Sequence, residues 1–140
     1  MTTAIDTNII VCLWSEDAGL SGIAEKALES AHQRGRLVIS APVFAELIAA
    51  PGRVEGLVDQ FLKDNHIGVD WDLGEAVWRM AARAFQTYSE RRRQQGGEGA
   101  RRILADFLIG AHAAVHNYRL LTLDERIYRA AFPTLRLETA

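Results

Sequence analysis

Lysine is almost missing from this chain. Of its 16 basic residues only Lys26 and Lys63 are lysines, and the other 14 are arginines. The formal net charge is −2, so there is no overall basic field of the kind that marks many polyanion binders. Cysteine occurs once, at Cys12, which excludes an intramolecular disulfide, fits a reducing compartment and reads as core. Long apolar runs are lacking too. The strictly apolar stretches are a few residues, as in Ile9 to Leu13, too short to span a membrane. The start MTTAIDTNII has neither the basic region nor the cleavage site of a signal peptide, so the expectation is a cytoplasmic protein with no membrane association. A Walker-type glycine loop, a GxSxG elbow and a recognisably spaced Ser/His pair are all absent, which removes the usual covalent nucleophiles. What remains is 140 residues, 49% hydrophobic, enough for one continuous core and one domain over 1–140.

Along the chain, short apolar segments alternate with helical periodicity. Ala4 and Ile5 read as a short strand ending at Asp6, Thr7 and Asn8, while Ile9 to Leu13 either extends it or begins a helix. Ser21 is read as the cap of a helix that buries Ile23, Ala24, Ala27, Leu28 and Ala31 and stops at Gly35. Leu37 to Ile39 is a strand. Pro42 suits the first turn of a helix that Pro51 and Gly52 break. A helix through Val54, Leu57, Val58, Phe61 and Leu62 leads to a strand at Ile67 to Val69. Leu73, Ala76, Val77, Met80, Ala81, Ala84, Phe85 and Tyr88 predict a long helix. Ile103 to Val115 is a further apolar helix, followed by strands at Leu120 to Thr122 and Leu135 to Leu137. This alternation predicts an α/β fold with a mainly parallel, helix-covered sheet.

In such a sheet, polar residues at the carboxyl ends of strands converge in one crevice. Asp6 and Asp124 each follow an apolar strand and meet that rule directly. Glu46 lies one turn into a helix that starts straight after a strand, and can point back over the same edge. Asp106 sits among Leu104, Ala105, Phe107 and Leu108, where an unpaired carboxylate is costly to bury unless a cation is near. Hard oxygen ligands without a His or Cys set favour Mg²⁺ or Mn²⁺ over zinc. One or two such ions would bind a phosphate, lower the pKa of an attacking water and neutralise the leaving oxygen, which is phosphodiester hydrolysis.

These residues resemble the PIN-domain nucleases, and among them the VapC-like toxins of bacterial type II toxin–antitoxin pairs. The resemblance runs over nearly the whole chain and is carried by AIDTNII, APVFAELIAA, ADFLIGAHA and LLTLDERIY in the family's order. It implies a three-layer α/β/α sandwich, with Asp6, Glu46, Asp106 and Asp124 as the acidic metal site and Asn8 and Thr122 as supporting polar positions. It further implies an endoribonuclease dependent on Mg²⁺ or Mn²⁺, homodimerisation, and inhibition by a small antitoxin. The stretch from Arg91 to Arg102 departs from the family pattern. Its Arg91, Arg92, Arg93, Arg101 and Arg102 are candidate RNA contacts, since their planar forks suit phosphates if the loop borders the crevice.

Taken singly, each acid has an ordinary reading: Asp6 and Asp124 as helix caps, Glu46 as a solvated helix acid, Asp106 on a wet helix edge. His112 and His116, spaced by four, read as packed helix residues because no further ligand completes a metal set. Trp14, Trp71 and Trp78 read as core or interface rather than base-stacking residues. The rival functions are a non-catalytic RNA-binding or protein-interaction module, and a phospho-accepting receiver domain. The latter lacks an adjacent acidic pair after the first strand and a late lysine.

Overall fold

A computed structural model describes residues 1–97 and 102–140. Five strands form one sheet: β1 (Thr2–Ile5), β2 (Arg36–Ser40), β3 (Ile67–Asp70), β4 (Arg119–Thr122) and β5 (Arg136–Thr139). All four pairings are parallel and the order is β3-β2-β1-β4-β5. Helices α1 (Thr7–Leu13) and α2 (Ala18–Arg34) join β1 to β2. Next come α3 (Ala41–Ala49) and α4 (Glu55–Asp64), then α5 (Gly74–Gln94) and α6 (Leu104–Val115), and finally α7 (Arg126–Ala131). Successive strand residues point to opposite faces, yet Ala4 and Ile5, Leu37 to Ile39, and Leu120 and Leu121 are all buried. Both faces are therefore covered, and the molecule is a three-layer α/β/α sandwich as expected. Among the described residues no helix is long and apolar enough to cross a membrane.

Local chemistry explains most of the boundaries. The ambiguous Ile9 to Leu13 belongs to α1, with Ile9 and Ile10 fully buried beneath it. Ser21 is not the cap of α2. Asp17 is, its carboxylate accepting from the Gly19 and Leu20 amides at 2.9 and 3.2 Å. The helix thus starts three residues before Ser21, and its outward Ile23 is exposed rather than core. Gly35 ends α2 at φ 152°, where a Cβ would stand 1.8 Å from the Met1 carbonyl oxygen that accepts from Arg36 N–H. Only glycine permits β1 to start that close. α5 begins after Leu73, and Val77 and Ala81 are its buried residues, whereas Ala76 faces outward.

The topology decides where chemistry can gather. From β1 the chain builds outward through β2 to β3, then returns to the far side of β1 to add β4 and β5. Connections consequently leave the carboxyl ends of β1 and β4 in opposite directions, opening a crevice between them.

Candidate metal centre

Asp6 stands directly at that switch point. Its backbone N–H donates to Leu121 O at 2.9 Å, continuing the β1–β4 ladder by one residue. Although Asp6 precedes α1 in the cap position, its side chain makes no capping bond there. Instead Oδ2 accepts from Thr122 Oγ1 and from Tyr128 Oη, both at 2.8 Å, and the residue is only 6% exposed. The helix-cap reading of Asp6 is thereby replaced by that of a buried carboxylate held by two hydroxyls.

Thr122 is the hub of this arrangement. Its single proton goes to Asp6, while its oxygen lies within bonding distance of the Asp124 amide at 3.1 Å and Asn8 Nδ2 at 3.3 Å. Asn8 also accepts from Leu123 N–H at 3.1 Å through Oδ1. The two supporting residues thus tie the end of β1 to the end of β4.

The other acids reach the same crevice by different routes. α3 begins immediately after β2, and its Glu46 accepts from Thr7 Oγ1 at 2.6 Å. Asp106 lies in the first turn of α6, where its carboxylate is favoured by the Ile103 amide and by the positive helix end. Asp124 does help the start of α7, accepting from Arg126 N–H at 3.2 Å through Oδ1. Its Oδ2 faces Arg102 Nη2 at 3.2 Å. Asp6, Asn8, Glu46, Asp106 and Asp124 all line one crevice of about 270 Å³, together with Thr7, Val11, Arg102, Ile127 and Tyr128.

Burial, opposed by the Thr122 and Tyr128 hydroxyls and the Thr7 amide, pushes the Asp6 carboxyl above its usual range, and the charge of Asp106 adds to the push. Burial likewise raises Asp106, against the Ile103 amide and Arg102 and with help from Asp124. The Tyr128 hydroxyl is pushed far up by its own burial and by the neighbouring Asp6, so it keeps the proton it donates to Asp6. Among the described residues no three His, Cys, Asp or Glu side chains are already closed around one point. The donor set is nonetheless all oxygen, with four carboxylates facing the single guanidinium of Arg102 among the described lining residues. That chemistry fits a hard divalent cation, which Asp6, Asp106, Asp124 and Glu46 would hold.

A PIN domain family model matches residues 3–133. The chain belongs to the PIN domain family. No curated protein shows a significant match to this chain. Solved structures of similar fold include VapBC-1 from nontypeable Haemophilus influenzae, at 20% identity and TM-score 0.68, covering 99% of this chain and 98% of that one. A toxin–antitoxin complex from Klebsiella pneumoniae is 20% identical with TM-score 0.67, covering 98% and 96%. DNA-bound VapBC from Salmonella typhimurium is 16% identical with TM-score 0.61, covering 99% and 98%. In this PIN-domain chain Asp6, Asn8, Glu46, Asp106 and Asp124 line one crevice, and Thr122 is bonded to Asp6 beneath it.

The remaining candidates divide. Arg102 reaches the crevice, whereas Arg92 and Arg93 line a neighbouring cleft beside Phe85 and Tyr88. Arg91 lines a separate apolar groove between α5, α6 and α7, and Arg101 lies outside the described residues. His112 is buried, with Nε2 2.7 Å from Asp70 Oδ2, and His116 is exposed and stacks on Tyr118. Trp71 and Trp78 are 62% and 51% exposed, which excludes the core for both. Trp14 packs edge-on against Phe61, with Arg53 4.2 Å above its ring. Sequence reasoning gave no role to Tyr128 or Thr7. The signal for Tyr128 was its place one turn beyond Asp124, on the α7 face that returns to the crevice.

Proposed function

We propose that this chain is an endoribonuclease that uses Mg²⁺ or Mn²⁺ to hydrolyse RNA phosphodiester bonds, and the toxin of a toxin–antitoxin pair. The observation that carries the reading is the convergence of four carboxylates, from β1, α3, α6 and the end of β4, at the switch point of a PIN-family sheet. When bound, a divalent metal supplies charge to the scissile phosphate and lowers the pKa of a water. Asp6 holds its carboxylate ready because Thr122 and Tyr128 fix both its position and its hydrogen-bond donors. Asn8 keeps the β4 end from drifting away from β1. Asp106 and Glu46 complete an acidic wall that leaves a general place for a cation and, through it, a phosphate.

The partner assignment draws on structures of similar fold, among them the toxin–antitoxin complex from Klebsiella pneumoniae. Val11, beside the crevice on α1, and Leu20 and Ile23 on the adjoining α2 are exposed apolar residues, and an antitoxin segment would cover such a surface. Its charged contact would be a basic side chain, best an arginine, set among the acids. The same reading expects a homodimer acting in the cytoplasm. Purified protein with Mg²⁺ or Mn²⁺ should cut a cellular RNA pool, and Asp6→Asn or Asp106→Asn should not. Equal cleavage by those variants would sink the assignment, and RNA binding without cleavage under any divalent metal would favour a binding module.

A further inference from the structure

Among the described residues Arg102 is the one basic side chain lining the acidic crevice. Its guanidinium meets Asp124 and bears electrostatically on Asp106, lowering the cost of that carboxylate's charge. This placement is built into the chain rather than left to a free side chain. The Arg102 N–H donates to Tyr88 Oη at 2.6 Å, and the Tyr88 ring packs between Phe85 and Phe107 at centroid distances of 6.3 and 5.4 Å. The backbone of Arg102 is therefore fixed to α5 just before α6 begins. Its side chain remains 27% exposed and Asp124 44% exposed, so the pair is weak and open to exchange. Arg102 also lines the neighbouring cleft with Arg92 and Arg93, placing it at the junction of the acidic crevice and an arginine-bearing one.

Resting on the nuclease reading above, we propose that Arg102 is an exchangeable cation of the site that binds the substrate's phosphate. It pairs with Asp124 until a divalent ion claims that carboxylate, and its fork then grips an RNA backbone phosphate between the acids and the Arg92–Arg93 cleft. A monovalent guanidinium yields to a divalent ion at a carboxylate, and the released fork matches a phosphate's oxygens in a way that lysine does not.

The test uses the full chain with Mn²⁺ alone, titrated calorimetrically, and then steady-state cleavage of an RNA it cuts. Arg102→Ala should bind Mn²⁺ several-fold more tightly, having lost its internal competitor, while its KM for RNA rises about tenfold or more through loss of a charge-assisted phosphate bond. Arg102→Lys should keep the Mn²⁺ affinity near that of the wild type, because the charge stays, but still raise KM, because the fork is gone. An unchanged Mn²⁺ affinity or an unchanged KM in Arg102→Ala overturns the proposal. If that variant does not fold, a wild-type KM in Arg102→Lys overturns it instead. A wild type that neither binds Mn²⁺ nor cuts RNA defeats the nuclease reading itself, whereas a wild type that does both, alongside indifferent Arg102 variants, defeats this inference alone.

Discussion

Replacing Asp6 by asparagine should stabilise the metal-free protein while abolishing its activity. Asp6 is buried, and its carboxyl is raised above its usual range by burial and by Asp106, despite the hydroxyls of Thr122 and Tyr128. An acid raised in the folded state binds protons that the unfolded chain has released. Its charged form therefore costs stability that is absent below the unfolded pKa and grows as pH rises through the folded one. An asparagine Oδ1 still accepts both hydroxyl bonds, and although the Thr7 amide loses a charged acceptor, removal of the unfavourable charge is the larger change. The gain should be about 1 to 3 kcal/mol at neutral pH, the scale of an imperfectly compensated buried polar group. For a domain of this length that is roughly 3 to 10 °C in Tm. Thermal unfolding by circular dichroism, with chelator, from pH 4 to 8 measures it. His112, whose protonation burial disfavours, makes both proteins less stable as pH falls below the usual histidine range, and it cancels when the two curves are subtracted. Adding Mg²⁺ should erase or reverse the ranking, since saturating ligand at about a hundredfold above Kd adds roughly 2.7 kcal/mol to the wild type alone. An Asp6→Asn protein less stable than the wild type at pH 8, or a difference that does not change with pH, would refute this account of the crevice.

Other perturbations separate the site from its scaffold. Thr122→Val removes a donor from Asp6 and an acceptor from the Asp124 amide; a loss of about 2 kcal/mol in chemical denaturation is expected, with cleavage abolished. Tyr128→Phe keeps the ring's packing but deletes one Asp6 donor, so Asp6 holds a proton more tightly and the acid limb of the rate–pH profile should move to higher pH; an unmoved limb contradicts the assigned bond. In Gly110→Ala a Cβ would lie 2.3 Å from the Phe132 ring, and overpacking of about 1 to 3 kcal/mol should outweigh the better helix propensity, giving a lower Tm. Asp70→Ala strips the buried His112 of its partner and should cost about 1 to 3 kcal/mol in stability, while specific activity per folded molecule stays at the wild-type level because neither residue lines the crevice.

What the sequence could convey depended on how far each residue's role was local. Asp6 and Asp124 were legible because an acid closing a short apolar strand has few other places to go in a parallel sheet. Asp106 was legible because Leu104, Phe107 and Leu108 surround it, although its first-turn position supplied part of its stabilisation from the Ile103 amide. The start of α2 was misread at Ser21 because the apolar period begins late, while the cap is set by the extended backbone of Asp17. Exposure of Trp71 and Trp78 escaped the pattern because helical and strand periodicity cannot say which face lacks a neighbour. Tyr128, and the bond that Arg102 makes to Asp124, were hidden for the same general reason. Their partners lie 122 and 22 residues away, and only the pairing of β1 with β4 and the packing of α6 against α7 and β4 bring them together.

The pairing of β1 with β4 also dictates when the crevice can exist. Asp6 precedes its hydroxyl donors, Thr122 and Tyr128, by 116 and 122 residues. Until they emerge, β1 can pair with β2 alone, and the edge that carries Asp6 toward β4 is open. Closing a loop of more than a hundred residues costs entropy that only the finished core repays. The acid cluster therefore cannot assemble until Tyr128 has been made, and a product that stops before Thr122 carries Asp6, Glu46 and Asp106 but no crevice to hold them.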